Sequence, residues 1–275
     1  MTGRTRRKRP LVLPVVLIGM LVAGVGGCSA RTDDGHAMAV WRNLLAVTNP
    51  DYRVVQFGGA GDDYREGWTT VEARRPSPST GSEYGGWSTR VDDAEGAADV
   101  SRNLSGWSLT AALVKLDAEP LQDEDERRQV KRVLRSLGSS VKVEVVVGLR
   151  ESLPEPEVTK LTVRTPDVLL FSTGPNGKPL SWDGSKYCDS RGFDAWCSSG
   201  VKPSLTQEFE TWVSLLGPGD EKALAAFGLH LDELKSVPDR GVHGFVLSGW
   251  PADLLPLADD PRVMSLRVAD IVLEE

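Results

Sequence analysis

Side chains that could do chemistry are few in this chain, and their spacing does not favour it. His36, His230 and His243 are the only histidines among 275 residues. No two of them stand at a spacing that brings imidazoles onto one metal ion. The sequence has no Gly-x-Ser-x-Gly elbow, Ser-x-x-Lys, His-Glu-x-x-His or phosphate-cradling Gly-x4-Gly-Lys-Ser/Thr run. Ser248 in Leu-Ser-Gly-Trp reads as the end of a strand, and His243 as a residue within that strand. The acidic pairs Asp62-Asp63, Asp92-Asp93 and Asp259-Asp260 lack the alternating oxygen ligands and central glycine of a calcium loop. Two carboxylates that only the fold brings together would remain open to glycoside hydrolysis. The expectation is therefore a non-enzymatic protein with no catalytic residue, no metal ligand and no cofactor, with an envelope hydrolase as the alternative.

Three cysteines complete the reactive inventory. Cys28 closes a stretch of distinct layout. Arg4, Arg6, Arg7, Lys8 and Arg9 come first, then fifteen mostly apolar residues from Leu11 to Val25, then Gly26-Gly27. Fifteen are too few for an ordinary membrane span of about 20 residues. The stretch resembles the signal of bacterial lipoproteins, with Val25-Gly26-Gly27-Cys28 as its lipobox. The resemblance implies that residues 1–27 are removed and that Cys28, now first in the chain, carries a diacylglyceryl group through a thioether. Its partner would then be a lipid bilayer, on the extracytoplasmic face of the cell membrane. Two acyl chains give lasting attachment where one is marginal, at about 0.8 kcal/mol per buried methylene. An ordinary cleaved signal or a short uncleaved anchor is the alternative.

Charge divides at the same point. The chain carries −7 overall, and five basic residues but no acid precede Cys28, which leaves −12 on the 248 residues from Cys28 onward. Such an acidic body excludes nucleic acid as a partner and does not seek anionic lipid by its own surface. With Cys28 set aside, Cys188 and Cys197 remain, in YCDSRGFDAWCSS. An oxidising compartment lets them close the loop, worth roughly 2–3 kcal/mol by loop entropy; the alternative is two free thiols. Trp182, Tyr187, Phe193 and Trp196 crowd this loop. They form a candidate binding surface for an envelope protein or glycan, or else rings that cover the edge of a sheet.

Residues 28–35 read as the lipidated cysteine and a polar tether, 36–140 as a smaller N-terminal α+β region, and 141–275 as a C-terminal domain. In the N-terminal region, periodicity predicts helices over His36–Val47, Ser108–Leu116 and Asp123–Leu137, and strands over Arg53–Phe57 and Gly67–Arg74. Val130, Val133, Leu134 and Leu137 form the stripe of the third helix. In the C-terminal domain, Val141–Leu149 alternates as a strand with one apolar face. A short helix over Glu155–Leu161 and a strand over Asp167–Ser172 follow it, and then a long loop over Gly174–Gly200. Ser204 and Gln207 form a capping box before a helix bearing Leu205, Phe209, Trp212, Val213 and Leu216. A second helix starts at Asp220. The chain closes with strand Val242–Ser248, helix Ala252–Leu257 and strand Val263–Leu273. This order gives β-α-β, an insertion, then β-α-β, which predicts a ferredoxin-like α+β sandwich with helices on one face and a disulfide-stapled loop.

Gly241–Ile271, GVHGFVLSGWPADLLPLADDPRVMSLRVADI, resembles the closing segment of the extracytoplasmic C-terminal domain of sigma-factor regulators. SLTQEFETWVSLL and VKVEVVVGLRESLPEPEVTKL fit the same domain order. The resemblance covers about residues 141–275 and implies an extracytoplasmic sensing or binding domain. In that family a spanning helix leads to a cytoplasmic sigma-binding segment; here the hydrophobic run ends in the lipobox, so sigma-factor binding does not carry over. A purely structural envelope protein is the remaining alternative.

Overall fold

The computed structural model describes residues 36, 40–41, 43–55, 69–73, 90–91, 94–103, 108–116, 124–174, 177–183 and 203–273. Helix α1 (residues 40–48) is enclosed on nearly every side. Val40, Trp41, Leu44, Leu45 and Val47 all lie in the main core. A helix so enclosed draws its stability from packing rather than from its own propensity. Strands β1 (Tyr52–Val55), β2 (Thr69–Ala73) and β3 (Arg90–Val91) form a small antiparallel meander. Helices α2 (Ala94–Asn103), α3 (Ser108–Val114) and α4 (Glu124–Ser136) lead into the larger sheet. β3 and α2 carry no strong periodic signal and are not expected from the sequence.

That sheet contains β4 (Val141–Leu153), β5 (Val168–Thr173), β6 (Pro179–Trp182), β7 (Val242–Gly249) and β8 (Val263–Leu273), in the order β6-β5-β7-β4-β8. Every pairing is antiparallel. The chain is therefore α+β. Between the strands lie α5 (Glu155–Thr159), α6 (Leu205–Ser214), α7 (Glu221–Ala226), α8 (Leu231–Arg240) and α9 (Pro251–Leu254). Strand β6 and helix α8 correct the sequence reading, which runs a loop through the first and passes over the second. Leu231, Leu234 and Val237 give α8 its buried face, and Gly241 ends it with φ 77°.

β4 departs from its expected one-sided pattern, because every residue from Val143 to Leu149 is buried. Val143, Val145, Val147 and Leu149 face the main core with α1 and α4–α9. Val146 faces a second core, in which α3 supplies Leu109, Ala112 and Leu113, followed by Leu116, against Val168, Leu170, Val246 and Ala269. Helices thus cover both faces of the sheet, not one. A central strand buried on both sides reads as a continuous apolar run, and VEVVVGL is close to one.

Glycines admit α3 to this face. A β-carbon at Gly244 would stand 2.5 Å from the Val147 carbonyl oxygen and 3.5 Å from Leu116, and one at Gly148 would strike Ser265 and Leu116. The bare backbone lets Leu116 press onto the sheet, and the Ser265 hydroxyl donates to the Leu116 carbonyl at 3.1 Å.

Helix ends are fastened by side chains. The capping box expected at α6 is present: Ser204 Oγ accepts from the Gln207 amide, and Gln207 Oε1 accepts from the Ser204 amide. The buried Glu155 carboxylate adds to it, accepting from the Leu205 and Thr206 amides at 2.9 and 2.8 Å. A negative charge there complements the positive end of the helix. Val133 of α4 points to solvent, at 39% exposure, and so lies outside the stripe expected for it. Arg127 instead ties α4 to the turn before β8, donating to the carbonyls of Ala258 and Val263. In that turn the Arg262 guanidinium, hydrogen-bonded to Asp260, holds the Asp260 carboxyl below its usual range against the opposing effect of burial.

Gly244→Ala tests the approach of α3. The methyl would meet backbone that cannot yield, so a loss of about 1–3 kcal/mol is expected in urea unfolding. A variant as stable as the wild type would show that the two surfaces are less tightly joined.

Candidate functional site

The residues with most chemical potential meet where α1 ends. Asn49 and Asp51 are 0% exposed and Lys178 is 4% exposed. Asn49 follows the last turn of α1, Asp51 lies in the bend into β1, and Lys178 ends the turn of the β5–β6 hairpin. Gly177 closes that hairpin with φ 70°, and the Gly174 amide donates to the Lys178 carbonyl at 2.6 Å. A β-carbon at Gly174 would stand 2.8 Å from that same oxygen, so glycine is required there too.

Lys178 Nζ donates to Asn49 Oδ1 and to Asp51 Oδ1, each at 3.1 Å. It also lies 5.2 Å from the centre of the Tyr52 ring. The second Asp51 oxygen accepts from the Thr110 hydroxyl of α3. Asn49 Nδ2 faces three acceptors: the Leu45 carbonyl at 2.9 Å, Thr48 Oγ1 at 3.0 Å and Ser101 Oγ at 2.7 Å. The Ser181 hydroxyl of β6 donates to the Val47 carbonyl at 3.2 Å. One polar cluster thus joins α1, β1, α2, α3 and the β5–β6 hairpin. An ammonium, a carboxylate and a carboxamide in a dry interior are the groups required for acylation of an amine.

Two further acids, the buried Asp220 and the half-buried Asp167, serve backbone. Asp220 Oδ2 accepts from the Gly217 amide at 2.8 Å, and its Oδ1 lies 3.0 Å from His36 Nε2. Asp167 accepts from the Ser248 amide at 2.6 Å. His230 is exposed at the start of α8, and His243 is half-buried in β7. Among the described residues, no group of three His, Cys, Asp or Glu side chains could hold a metal ion. Among them, too, no helix is long and apolar enough to cross a membrane.

Of the aromatic residues expected at a binding surface, Trp182 is a core side chain, 1% exposed. It stacks on Trp212 at 5.4 Å and meets Phe209 edge-on at 5.3 Å, while its Nε1 donates to Glu208. It therefore offers no docking surface. An indole packed among rings, with its N–H bonded at the margin, satisfies both of its chemical characters inside the protein. Tyr187, Phe193, Trp196, the Cys188 and Cys197 pair and Cys28 lie outside the described residues. No protein-family model, curated protein or solved structure matches the chain.

Sequence reasoning misses the cluster itself. One signal is there, because Asn176-Gly177 between two apolar runs is a hairpin signature that places Lys178 at a strand start. Its partners, 127 and 129 positions away, carry no local sign.

Thr110→Val removes the hydroxyl that serves Asp51 while keeping its shape. A buried carboxylate oxygen left without its donor is expected to cost about 1–3 kcal/mol in urea unfolding, with an unchanged slope. No loss would mean that Thr110 contributes nothing to the cluster.

Proposed function

We propose that this chain is a lipid-anchored protein of the extracytoplasmic membrane face, held through a diacylglyceryl group on Cys28, with a non-enzymatic binding or sensing role. The observation that carries the reading is the Arg4–Cys28 stretch: a basic start, a short apolar run and small residues before the cysteine. The acidic remainder supports it, since a body at −12 gains nothing from anionic lipid and needs a covalent tether to stay there. The engagement of Asp51, Glu155 and Asp220 with neighbouring donors supports a binding role over hydrolysis. The partner is an envelope protein or glycan, met through Tyr187, Phe193 and Trp196 beside a Cys188–Cys197 staple.

The C-terminal unit is read as ferredoxin-like. Strands β5-β7-β4-β8 interleave two β-α-β units. The β5–β6 hairpin and helices α6–α8 then form the insertion between those units. Such a scaffold leaves its loops free for recognition, so the function lies in what the loops carry rather than in the sheet.

Replacing Cys28 by Ser is expected to move the protein out of the membrane pellet and to abolish incorporation of labelled palmitate. A Cys28→Ser chain that stays in the pellet with wild-type label overturns the anchor. For recognition, chemical cross-linking on intact membranes is expected to join the wild type to an envelope partner that the Trp196→Ala chain loses. An identical partner set for both would remove the stapled loop from this reading.

A further inference from the structure

We propose that the buried cluster matures into a covalent clasp, an amide between Lys178 Nζ and Asn49 Cγ that forms without any other enzyme. Three groups are needed, and all three are in place. The nucleophile is Lys178 Nζ, 3.1 Å from Asn49 Oδ1. The carbon it must reach is one C=O bond further, about 1.2 Å from that oxygen. The proton carrier is Asp51, whose Oδ1 is also 3.1 Å from Nζ and whose other oxygen is held by Thr110.

The orientation of the carboxamide follows from its neighbours. The Leu45 carbonyl can only accept and the lysine ammonium can only donate, so Nδ2 must face Leu45 and Oδ1 must face Lys178. The leaving nitrogen is therefore cradled by the Leu45 carbonyl, Thr48 Oγ1 and Ser101 Oγ.

The step balances without a co-reactant. Nζ passes a proton to Asp51 and becomes a neutral amine. Its lone pair then forms the N–C bond to Asn49 Cγ while the C=O π electrons move to Oδ1. Collapse of that intermediate breaks the Cγ–Nδ2 bond: Nδ2 leaves as ammonia with the proton returned from Asp51, and Asp51 then takes the second Nζ proton, so that it ends neutral beside the amide. A primary amide and an amine become a secondary amide and ammonia, with nothing oxidised or reduced. Burial of all three side chains removes the water that would otherwise compete. The fixed geometry replaces a bimolecular encounter with a step between groups already in reach. Attack on Asp51 instead would expel oxygen from a carboxylate and consume the base, so Asn49 is the acyl donor.

The bond would join the end of α1 to the β5–β6 hairpin across 129 positions of sequence. Unfolding could not then part the N-terminal helix from the sheet.

A tryptic digest of the purified full chain tests this. Residues 43–53 carry Asn49, and residues 165–186 carry Lys178, since the Lys178-Pro179 bond resists trypsin. The two peptides are expected as one species, lighter than their sum by about 17 Da, the ammonia lost on acylation of the amine. Two separate peptides at their sequence masses overturn the proposal. A joined species lighter by about 18 Da, the water lost in acylation by a carboxylate, would place the bond at Asp51 and also overturn it. Asp51→Ala is expected to give the separate peptides, and a joined pair from that variant removes Asp51 from the reaction. The wild-type digest is read after denaturation, so its outcome does not depend on how well the variant folds.

Discussion

The interior around Lys178 imposes the constraint that shapes the rest of the structure. An ammonium moved out of water loses several kcal/mol of solvation, and it persists only where charge and hydrogen-bond partners replace the water. Asp51, Asn49 and the Tyr52 ring do this from one short stretch of chain, while the lysine comes from a hairpin on the far edge of the large sheet. Placing these groups together fixes α1 relative to β5 and β6. The bend at Asn49–Asp51 brings both side chains to the same ammonium. Thr48, Ser101 and Ser181 then satisfy the backbone and amide groups that the end of a buried helix would otherwise leave open.

The two-sided burial of the sheet follows the same logic. Helix α1 occupies the main face together with α4–α9, so the other face needs a cover of its own, and α3 supplies it. Its Thr110 reaches Asp51, and Leu116 beyond its end rests over Gly148 and Gly244. The N-terminal region is thus more than an appendage to the C-terminal sheet. It contributes Leu44, Leu45 and Val47 to one core and Leu109 and Leu113 to the other.

Legibility in the sequence tracks how local each cause is. The capping box of α6 lies within four residues and reads directly. β7 and β8 are placed by their own patterns. β4 shows itself by alternation, yet its second buried face depends on α3, more than twenty residues upstream, so the pattern suggests one apolar side where there are two. β6 is only four residues, and its ladder hydrogen bonds come from β5. Helix α8 carries Pro238 in its last turn, which breaks the helical signal although the first two turns are regular. Trp182 groups by sequence with aromatic residues near the cysteines, whereas its packing partners Phe209 and Trp212 belong to the helix after them. Lys178 is the least legible of all. The Asn176-Gly177 pair marks the turn, but a lysine between Gly177 and Pro179 looks exposed, and nothing near it in sequence signals its burial.

A non-covalent reading of this cluster leaves a physical imbalance. Buried ion pairs seldom outperform well-packed apolar residues of the same volume, because desolvation offsets most of their attraction. If rigidity were all that the site supplied, three aliphatic side chains would fix the hairpin to α1 as well, and at less cost in solvation. What the lysine, asparagine and aspartate add over such a trio is reactivity. A nucleophile, a carbonyl and a proton carrier can exchange a reversible contact for a permanent one. Once the amide has formed, the charges that had to be solvated are gone: of the two protons the lysine nitrogen loses, one leaves on ammonia and the other neutralises Asp51. The desolvation penalty then falls only on the immature chain, where it raises the reactants towards the intermediate instead of weakening the finished fold.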